Sequence, residues 1–221
     1  HELNNPLATI SLRTESLLEQ FADGDPKQHA LKIIGQEVER MGNLVGNLLQ
    51  FSRRSHQQIS TIDVYKEIEN TLNFIEHYLC SRQINVVREF ADTLPNIHAD
   101  RQQLRQVFLN LLTNASDAMT QGGTLTLRVA AGQTEHGAGA IVIEFADTGT
   151  GIKPEDLLKV WEPFFTTKGE GKGTGLGLAI CRRIVEEHKG TINIESEVGR
   201  GTTVRITLRA AEGEGHGTHS V

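Results

Sequence analysis

Three groups of residues in this chain have types and spacings suited to chemistry. The first opens the sequence: HELNNPLATI places His1, Glu2, Asn4 and Asn5 ahead of apolar helical spacing. Such a cluster is either an arbitrary end on an ordinary helix or a reactive imidazole set beside a carboxylate and an amide. The second is NLLTNASDAM, where Asn110 and Asn114 lie one helical turn apart on one face. Two amides on an otherwise apolar helix are costly unless each finds partners. Neutral oxygen ligands combined with phosphates suit Mg²⁺. Capping of neighbouring backbone is the alternative for either residue alone. The third group is glycine-rich. In GEGKGTGLGLAI, glycines at 169, 171, 173, 175 and 177 let backbone N–H groups approach an anion, and the helix that follows turns its positive end toward it. The run matches neither GxxxxGK[ST] nor GxGxxG, and a flexible surface loop is its plainer reading. DTGTGI, residues 147–152, follows a strand. Asp147 at that strand end is placed to accept from a donor such as an exocyclic amine, and Gly149 and Gly151 leave room for a ring beside it.

The elements that carry these groups fall into two parts. Residues 1–56 read as a helical hairpin. Leu3, Leu7, Ile10, Thr14, Leu17 and Phe21 alternate by four and three, as do Leu31, Ile34, Val38, Met41, Val45 and Leu48. ADGDPKQ, residues 22–28, breaks the pattern, with Gly24 and Pro26 as helix stoppers. Two helices cannot enclose a core, so this hairpin is expected to pair with a second copy as a homodimeric four-helix bundle. The alternative is packing of both helices on the rest of the chain. Pro6 marks a kink if the helix begins upstream and costs little if it begins here.

Residues 57–221 mix helices with strand pairs, an α+β layer rather than a regular parallel sheet. VYKEIENTLNFIEHYLC reads as a helix with Val64, Ile68, Leu72 and Ile75 on one face. INVVREF reads as a strand, and DRQQLRQVFLNLLTNASDAM as a helix capped by Asp100. TLTLRVA and IVIEFAD are strands joined by the loop AAGQTEHGAGA. KPEDLLKV is a short helix, and GLGLAICRRIVEEHK is another ended by Gly190. TINIES and TTVRITLRA form a hairpin around VGRG. Residues 210–221, rich in Gly and His, are expected to be a disordered tail.

Composition narrows the partners. The 221 residues are 38% hydrophobic and 23% charged, ordinary for a folded chain of one large or two small domains. A net charge of −6 argues against nucleic acid or an anionic membrane as main partner. Cys80 and Cys181 lie far apart without metal-ligand spacing and read as reduced thiols. No apolar run reaches the roughly 20 residues needed to span a bilayer. The missing start methionine points to a fragment of a longer protein. The expected location is cytoplasmic for this fragment, with membrane contact only through upstream segments absent from it.

The chain resembles the sensor histidine kinases of two-component signalling. HELNNPL resembles the family's phosphoacceptor box, NLLTNASDAM its N box, DTGTGI its first glycine box and WEPFFTTK its phenylalanine box. GKGTGLGLAI resembles the second glycine box, and Gly201 with Thr202 the third. These boxes occur in the family's order and cover nearly the whole chain. Trp161 stands where phenylalanine is common, an apolar exchange. The resemblance implies an α/β sandwich ATP domain shared with gyrase, heat-shock chaperone and mismatch-repair ATPases, preceded by a dimerisation and histidine-phosphotransfer hairpin. Asp147 is then expected to bind the adenine amine, with Thr202 supporting the base pocket. Asn114 would hold Mg²⁺, with Asn110 assisting at Mg²⁺ or the phosphates. The loop Gly173, Thr174, Gly175, Leu176 and Gly177 would contact phosphates. Residues 160–173 would close over ATP, packed by Phe164 and Phe165, with Lys168 or Lys172 reaching phosphate.

The reaction so implied is autophosphorylation of His1 and transfer to an aspartate of a response-regulator receiver domain, docked on the lower hairpin. An imidazole attacks only with one ring nitrogen unprotonated, a form its ordinary pKa of about 6.5 supplies at neutral pH. Glu2 is placed to accept the other ring N–H and stabilise the developing cation. The resemblance also suggests that Asn5 orients a water for dephosphorylating the regulator. Two rivals make different predictions. An ATPase of the same fold that drives conformational change leaves no acid-labile phosphate on the chain. A degenerate scaffold binds nucleotide weakly.

Overall fold

Alternating apolar spacing at the start of the chain yields two helices in the computed structural model, which describes residues 4–21, 25–52, 57–169, 173–211 and 217–218. These are α1 (Asn4–Leu18) and α2 (Pro26–Ser52). Pro6 is the third described residue of α1. Pro26 does not lie in the break as expected. It is the first residue of α2, a position its fixed φ suits. Asp25 caps that end, with Oδ1 accepting from the Lys27 N–H at 2.8 Å. Along the two arms Thr14 and Val38 are buried, whereas Ile10, Leu17, Ile34 and Met41 remain exposed in the single chain. The apolar seam is therefore split. Part of it closes the hairpin, and part stays open on its surface.

The chain divides into two compact units, His1–Ser55 with Thr166–Leu176, and His56–Phe165 with Gly177–Val221. In the second unit, α3 (Val64–Ser81), α4 (Arg101–Ala118) and α5 (Gly177–Glu187) cover one face of a five-stranded sheet. Its strands are β2 (Ile84–Phe90), β5 (Gly123–Gln133), β6 (Gly139–Asp147), β7 (Thr191–Glu197) and β8 (Gly201–Arg209), in spatial order β2-β5-β6-β8-β7. Two small pairs complete it: β1 (Ile59–Ile62) with β4 (Ile97–Asp100), and β3 (Thr93–Leu94) with β9 (Gly217–Thr218). Within the five-stranded sheet only β2 and β5 are parallel, because α4 lies in the connection between them and returns the chain to the same end.

Period-two alternation separates the sheet's faces. Leu125, Leu127, Val129, Ile141, Ile143, Phe145, Val204, Ile206 and Leu208 are buried beneath the helices. The ring of Phe108 from α4 lies 5.9 Å from that of Phe145. On the opposite face Arg128 pairs with Glu89 and Glu144, and Arg205 with Glu144, giving a row of alternating charge across four strands.

Several local expectations change in the fold. KPEDLLKV forms turns and a single 3₁₀ turn at Lys159–Trp161 rather than a helix. The β5 and β6 strands run on through AAGQ and GA, leaving a tighter hairpin loop, because cross-strand bonding persists to the Gln133–Gly139 pair. Helix α5 starts at Gly177, not Gly175, and the left-handed residue that ends it is Lys189 (φ 56°). Lys189 N–H donates to the Glu186 carbonyl and Gly190 N–H to the Val185 carbonyl, a Schellman closure. The presumed tail is partly bonded: Ala210 and Ala211 donate to Gly139 and Asn96, and Gly217–Thr218 pair with β3. Gly24, residues 212–216 and residues 219–221 lie outside the described residues.

One buried charge joins α3 to α4. Glu67, 1% exposed, receives Arg101 at 3.1 Å and Arg105 at 3.4 Å. Removing both arginines strands a carboxylate in the interior, whereas Glu67→Gln leaves two arginines that can reach water. The double variant Arg101→Ala/Arg105→Ala is expected to lose about 3 kcal/mol of stability, and Glu67→Gln clearly less. Urea titration of the second unit's unfolding checks the order.

Candidate functional site

Asp147 ends β6 and pairs in register with Thr202 of β8. Its carboxylate is largely desolvated. Oδ1 accepts from the Gly149 N–H at 2.8 Å and the Thr202 N–H at 3.2 Å. Burial raises its pKa above the ordinary carboxylate value, and the two backbone donors oppose that rise without cancelling it. The chain after Asp147 is clamped by its surroundings. Thr150 N–H donates to the Ala118 carbonyl at the end of α4, and the Thr150 carbonyl accepts from Gly199 N–H. Gly149 and Gly151 serve this clamp. A Cβ on Gly149 would stand 2.7 Å from the Cβ of Ala118, and one on Gly151 (φ +69°) 2.1 Å from the Glu197 carbonyl oxygen. Both glycines make room for protein backbone where the sequence had suggested room for a ring.

Asn110 and Asn114 sit on the face of α4 that meets the first turn of α5. A Cβ on Gly177 would lie 3.6 Å from Asn114 Nδ2 and 3.9 Å from Asn110 Cγ. Asn110 Nδ2 donates to the Gly177 carbonyl at 3.4 Å, and its side chain also hydrogen-bonds Cys181 one turn further along α5. Cys181 is fully buried, with its pKa pushed up to about 12, so it remains a thiol and donates to the Val107 carbonyl. The far end of α5 is tied to the start of α4. Asp100 N–H donates to His188 Nε2 at 2.9 Å, and His188 Nδ1 faces the Ile184 carbonyl at 2.7 Å. Since a backbone N–H donates and a carbonyl accepts, His188 is held as the neutral Nδ1–H tautomer.

The second unit thus brings Asp147, Gly149, Gly151 and Thr202 to the C-terminal end of α4, and Gly177 to Asn110 and Asn114 on the same helix. Lys168, Gly173, Thr174, Gly175 and Leu176 belong to the other unit. There Thr166 Oγ1 accepts from Lys168 N–H and Thr174 Oγ1 from Leu176 N–H, folding the segment on itself, and Gly175 has φ +65°. His1, Glu2 and Lys172 lie outside the described residues. Asn5 falls within α1, its side chain outside the description. Among the described residues no group of His, Cys, Asp or Glu is arranged to hold a metal ion. The donor set beside Gly177 is a pair of amides, which suits Mg²⁺ shared with phosphates.

Ser196 was missed from the sequence. Its hydroxyl touches Ile152 N, Gly201 O and Thr202 Oγ1, all within 2.9 Å. The available signal was its register: with Ile192 and Ile194 it shares the inward face of β7, where a lone polar side chain needs partners. His188 left no comparable signal.

Comparisons with known proteins agree with this geometry. Residues 1–57 match the model of the His Kinase A (phospho-acceptor) domain, and residues 99–212 that of the histidine kinase-, DNA gyrase B- and HSP90-like ATPases. The chain belongs to the histidine kinase family. It is 35% identical over 208 residues to sensor histidine kinase ZraS of Escherichia coli K12, spanning 94% of this chain and 43% of ZraS. It is 37% identical over 218 residues to sensor kinase CckA of Brucella abortus, covering 94% of this chain and 23% of CckA. The chain therefore spans less than half of these relatives' length. The catalytic domain of histidine kinase ThkA superposes with a TM-score of 0.62 at 27% identity, over 70% of this chain and 97% of that one. ThkA in complex with a response regulator matches at 0.71 and 24% identity, over 96% of this chain and 59% of that one, a likeness of fold.

The raised pKa of Asp147 has a consequence for stability. A carboxyl whose folded pKa exceeds its unfolded one favours the fold when protonated, and that contribution is lost as pH rises through the folded value. Asp147→Asn keeps an oxygen for the two backbone donors and removes the desolvated charge. Its thermal midpoint is expected to match or exceed the parent's at pH 7, while ATP binding weakens by at least about a hundredfold. In the parent, ATP affinity should fall as pH drops, beginning above the ordinary carboxylate range. Calorimetry for stability and binding reads all three.

Proposed function

We propose that this chain is a histidine-kinase transmitter core that moves the γ-phosphoryl group of ATP to His1 and then to an aspartate of a response-regulator receiver domain. The observation that carries this reading is the desolvated Asp147 carboxylate, pinned through Oδ1 beside Thr202 at the end of α4 that also bears Asn114. Oδ2 of Asp147 accepts from the adenine amine. Asn114 holds Mg²⁺ together with the phosphates, and Asn110, braced on Gly177 and Cys181, keeps α5 in place beside it. Mg²⁺, when bound, offsets charge on the transferring phosphoryl group. The backbone N–H groups of residues 173–177 and the start of α5 bind phosphate oxygens, with Lys168 or Lys172 as further cations. One imidazole nitrogen of His1 forms the N–P bond as the bond to the bridging oxygen breaks, and ADP leaves with that electron pair. Glu2 holds the proton on the other ring nitrogen. The transfer requires His1 to be brought in line with the γ-phosphate.

Two copies pair through the open part of the hairpin seam, where Ile10, Leu17, Ile34 and Met41 lie exposed in the single chain. The regulator docks lower on the same hairpin, a partner whose class is supported by the ThkA complex. Asn5 orients a water that dephosphorylates the regulator. The net charge of −6 leaves nucleic acid an unsuitable partner. No described helix is long and apolar enough to cross a membrane. The cytoplasm, where ATP and receiver domains are found, is the proposed location of this segment.

Incubation with γ-labelled ATP and Mg²⁺ is expected to give an acid-labile, base-stable phosphate that His1→Gln abolishes. Label at another side chain, or ATP turnover without label, refutes the reading in favour of a plain ATPase. Asn5→Ala is expected to keep autophosphorylation within about twofold while lowering regulator dephosphorylation by at least about tenfold. Equal loss of both activities removes the role given to Asn5.

A further inference from the structure

Asp100 carries more bonds than a helix cap needs. Its Oδ1 accepts from the Gln102 N–H at 2.9 Å and the Gln103 N–H at 3.1 Å, which starts α4. Its Oδ2 accepts from the Gln58 N–H at 2.8 Å. Its own N–H donates to His188 Nε2 at the end of α5. Asp100 is buried, so these bonds are made with little competition from water. Gln58 is the residue just before β1. The β1–β4 ladder stops at the Ile59–Asp100 pair, so the carboxylate extends the hold on the incoming chain by one residue. The Gln57 side chain adds a bond to that of Gln103 at 3.4 Å. In sequence, His56 and Gln57 stand between Gln58 and Ser55, where the opening stretch of the first unit ends.

We propose that Asp100 is a positioning residue for phosphoryl transfer: its carboxylate fastens the chain arriving from the hairpin, at Gln58, to the start of the helix that bears Asn110 and Asn114. This rests on reading the chain as a kinase that phosphorylates its own His1. The two oxygens have separate roles. Oδ1 sets the first turn of α4, and Asn114 follows about 20 Å further along the same rigid helix. Oδ2 sets where the connection toward His1 leaves the second unit. An in-line transfer tolerates misplacement poorly, since an error of about 1 Å can cost about a hundredfold in rate. Asp147, Asn110 and Gly177 are held by bonds that do not involve Oδ2. Loss of the Gln58 bond is therefore felt in the transfer step and not in nucleotide affinity. Asp100→Asn isolates that bond. Its amide oxygen keeps both cap bonds, and Asn caps helices as well as Asp does. Its amide nitrogen then faces the Gln58 N–H, donor against donor. Gln58→Pro removes the same bond from the other side by deleting the N–H.

Initial rates of autophosphorylation are measured against Mg²⁺-ATP concentration on the full chain, on each single variant and on the double variant, with thermal unfolding as the check on folding. Asp100→Asn is expected to lower the maximal rate by at least about fivefold while KM for ATP stays within about twofold. Gln58→Pro should do the same, and it decides alone if Asp100→Asn does not fold. The double variant should lose no more than either single one, because both cut one bond. A maximal rate undiminished in the folded single variants, a KM that rises in step with the loss of rate, or losses that multiply in the double variant overturns the inference. A parent chain that takes no phosphate on His1 overturns the kinase reading instead.

Discussion

Ionising a carboxyl that has been taken out of water carries a free-energy cost, and the arrangement around Asp147 turns on that cost. Burial disfavours its charge, and two backbone N–H groups offset only part of the penalty. A ligand amine that completes the coordination recovers more here than it would at an exposed aspartate, because the interaction is made in a desolvated setting. The neighbouring backbone is shaped to keep the carboxylate in that position. Gly149 lies against Ala118 and Gly151 against Glu197, so the loop after β6 cannot drift without breaking contacts on both sides.

Helix α4 transmits this order through the second unit. Its N-terminus is capped by Asp100, whose own N–H is held by His188 from the end of α5. Its middle carries Asn110 and Asn114 against the first turn of α5, and its last carbonyl, that of Ala118, accepts from Thr150 in the loop that follows Asp147. Glu67 with Arg101 and Arg105 joins the same helix to α3. The sites proposed for base and for metal are thus spaced by one rigid element. Helix spacing positions groups more reproducibly than a loop does, which matters for a transfer that depends on alignment.

The hairpin works by different physics. Thr14 and Val38 close its two arms, while further apolar side chains of the same seam stay open. Closure within a chain and association between chains draw on one repeat, and two helices alone cannot satisfy it. The other unit encloses its own core beneath a single sheet and has no such requirement.

The helices of the chain and the order of its family boxes were legible in the sequence. Apolar periodicity alone marks Val64, Ile68, Leu72 and Ile75 as one face of α3, and a capping aspartate marks the start of α4, because both signals are local. The residue types at Asp147, Asn110 and Asn114 likewise marked a carboxylate and an amide pair as candidates for a site. Nonlocal contacts decided the rest. The roles of Gly149 and Gly151 depend on what lies across from them, and that is Ala118 and Glu197, about thirty and fifty residues away in the chain. The partners of Ser196 became visible only when β7, β8 and the loop after β6 met at its hydroxyl. The left-handed residue that ends α5 is Lys189 rather than Gly190, whose missing side chain instead leaves space against Thr207 and Leu208. Sequence sets what each side chain can donate, accept or bury, and the fold sets which partner takes each capacity up.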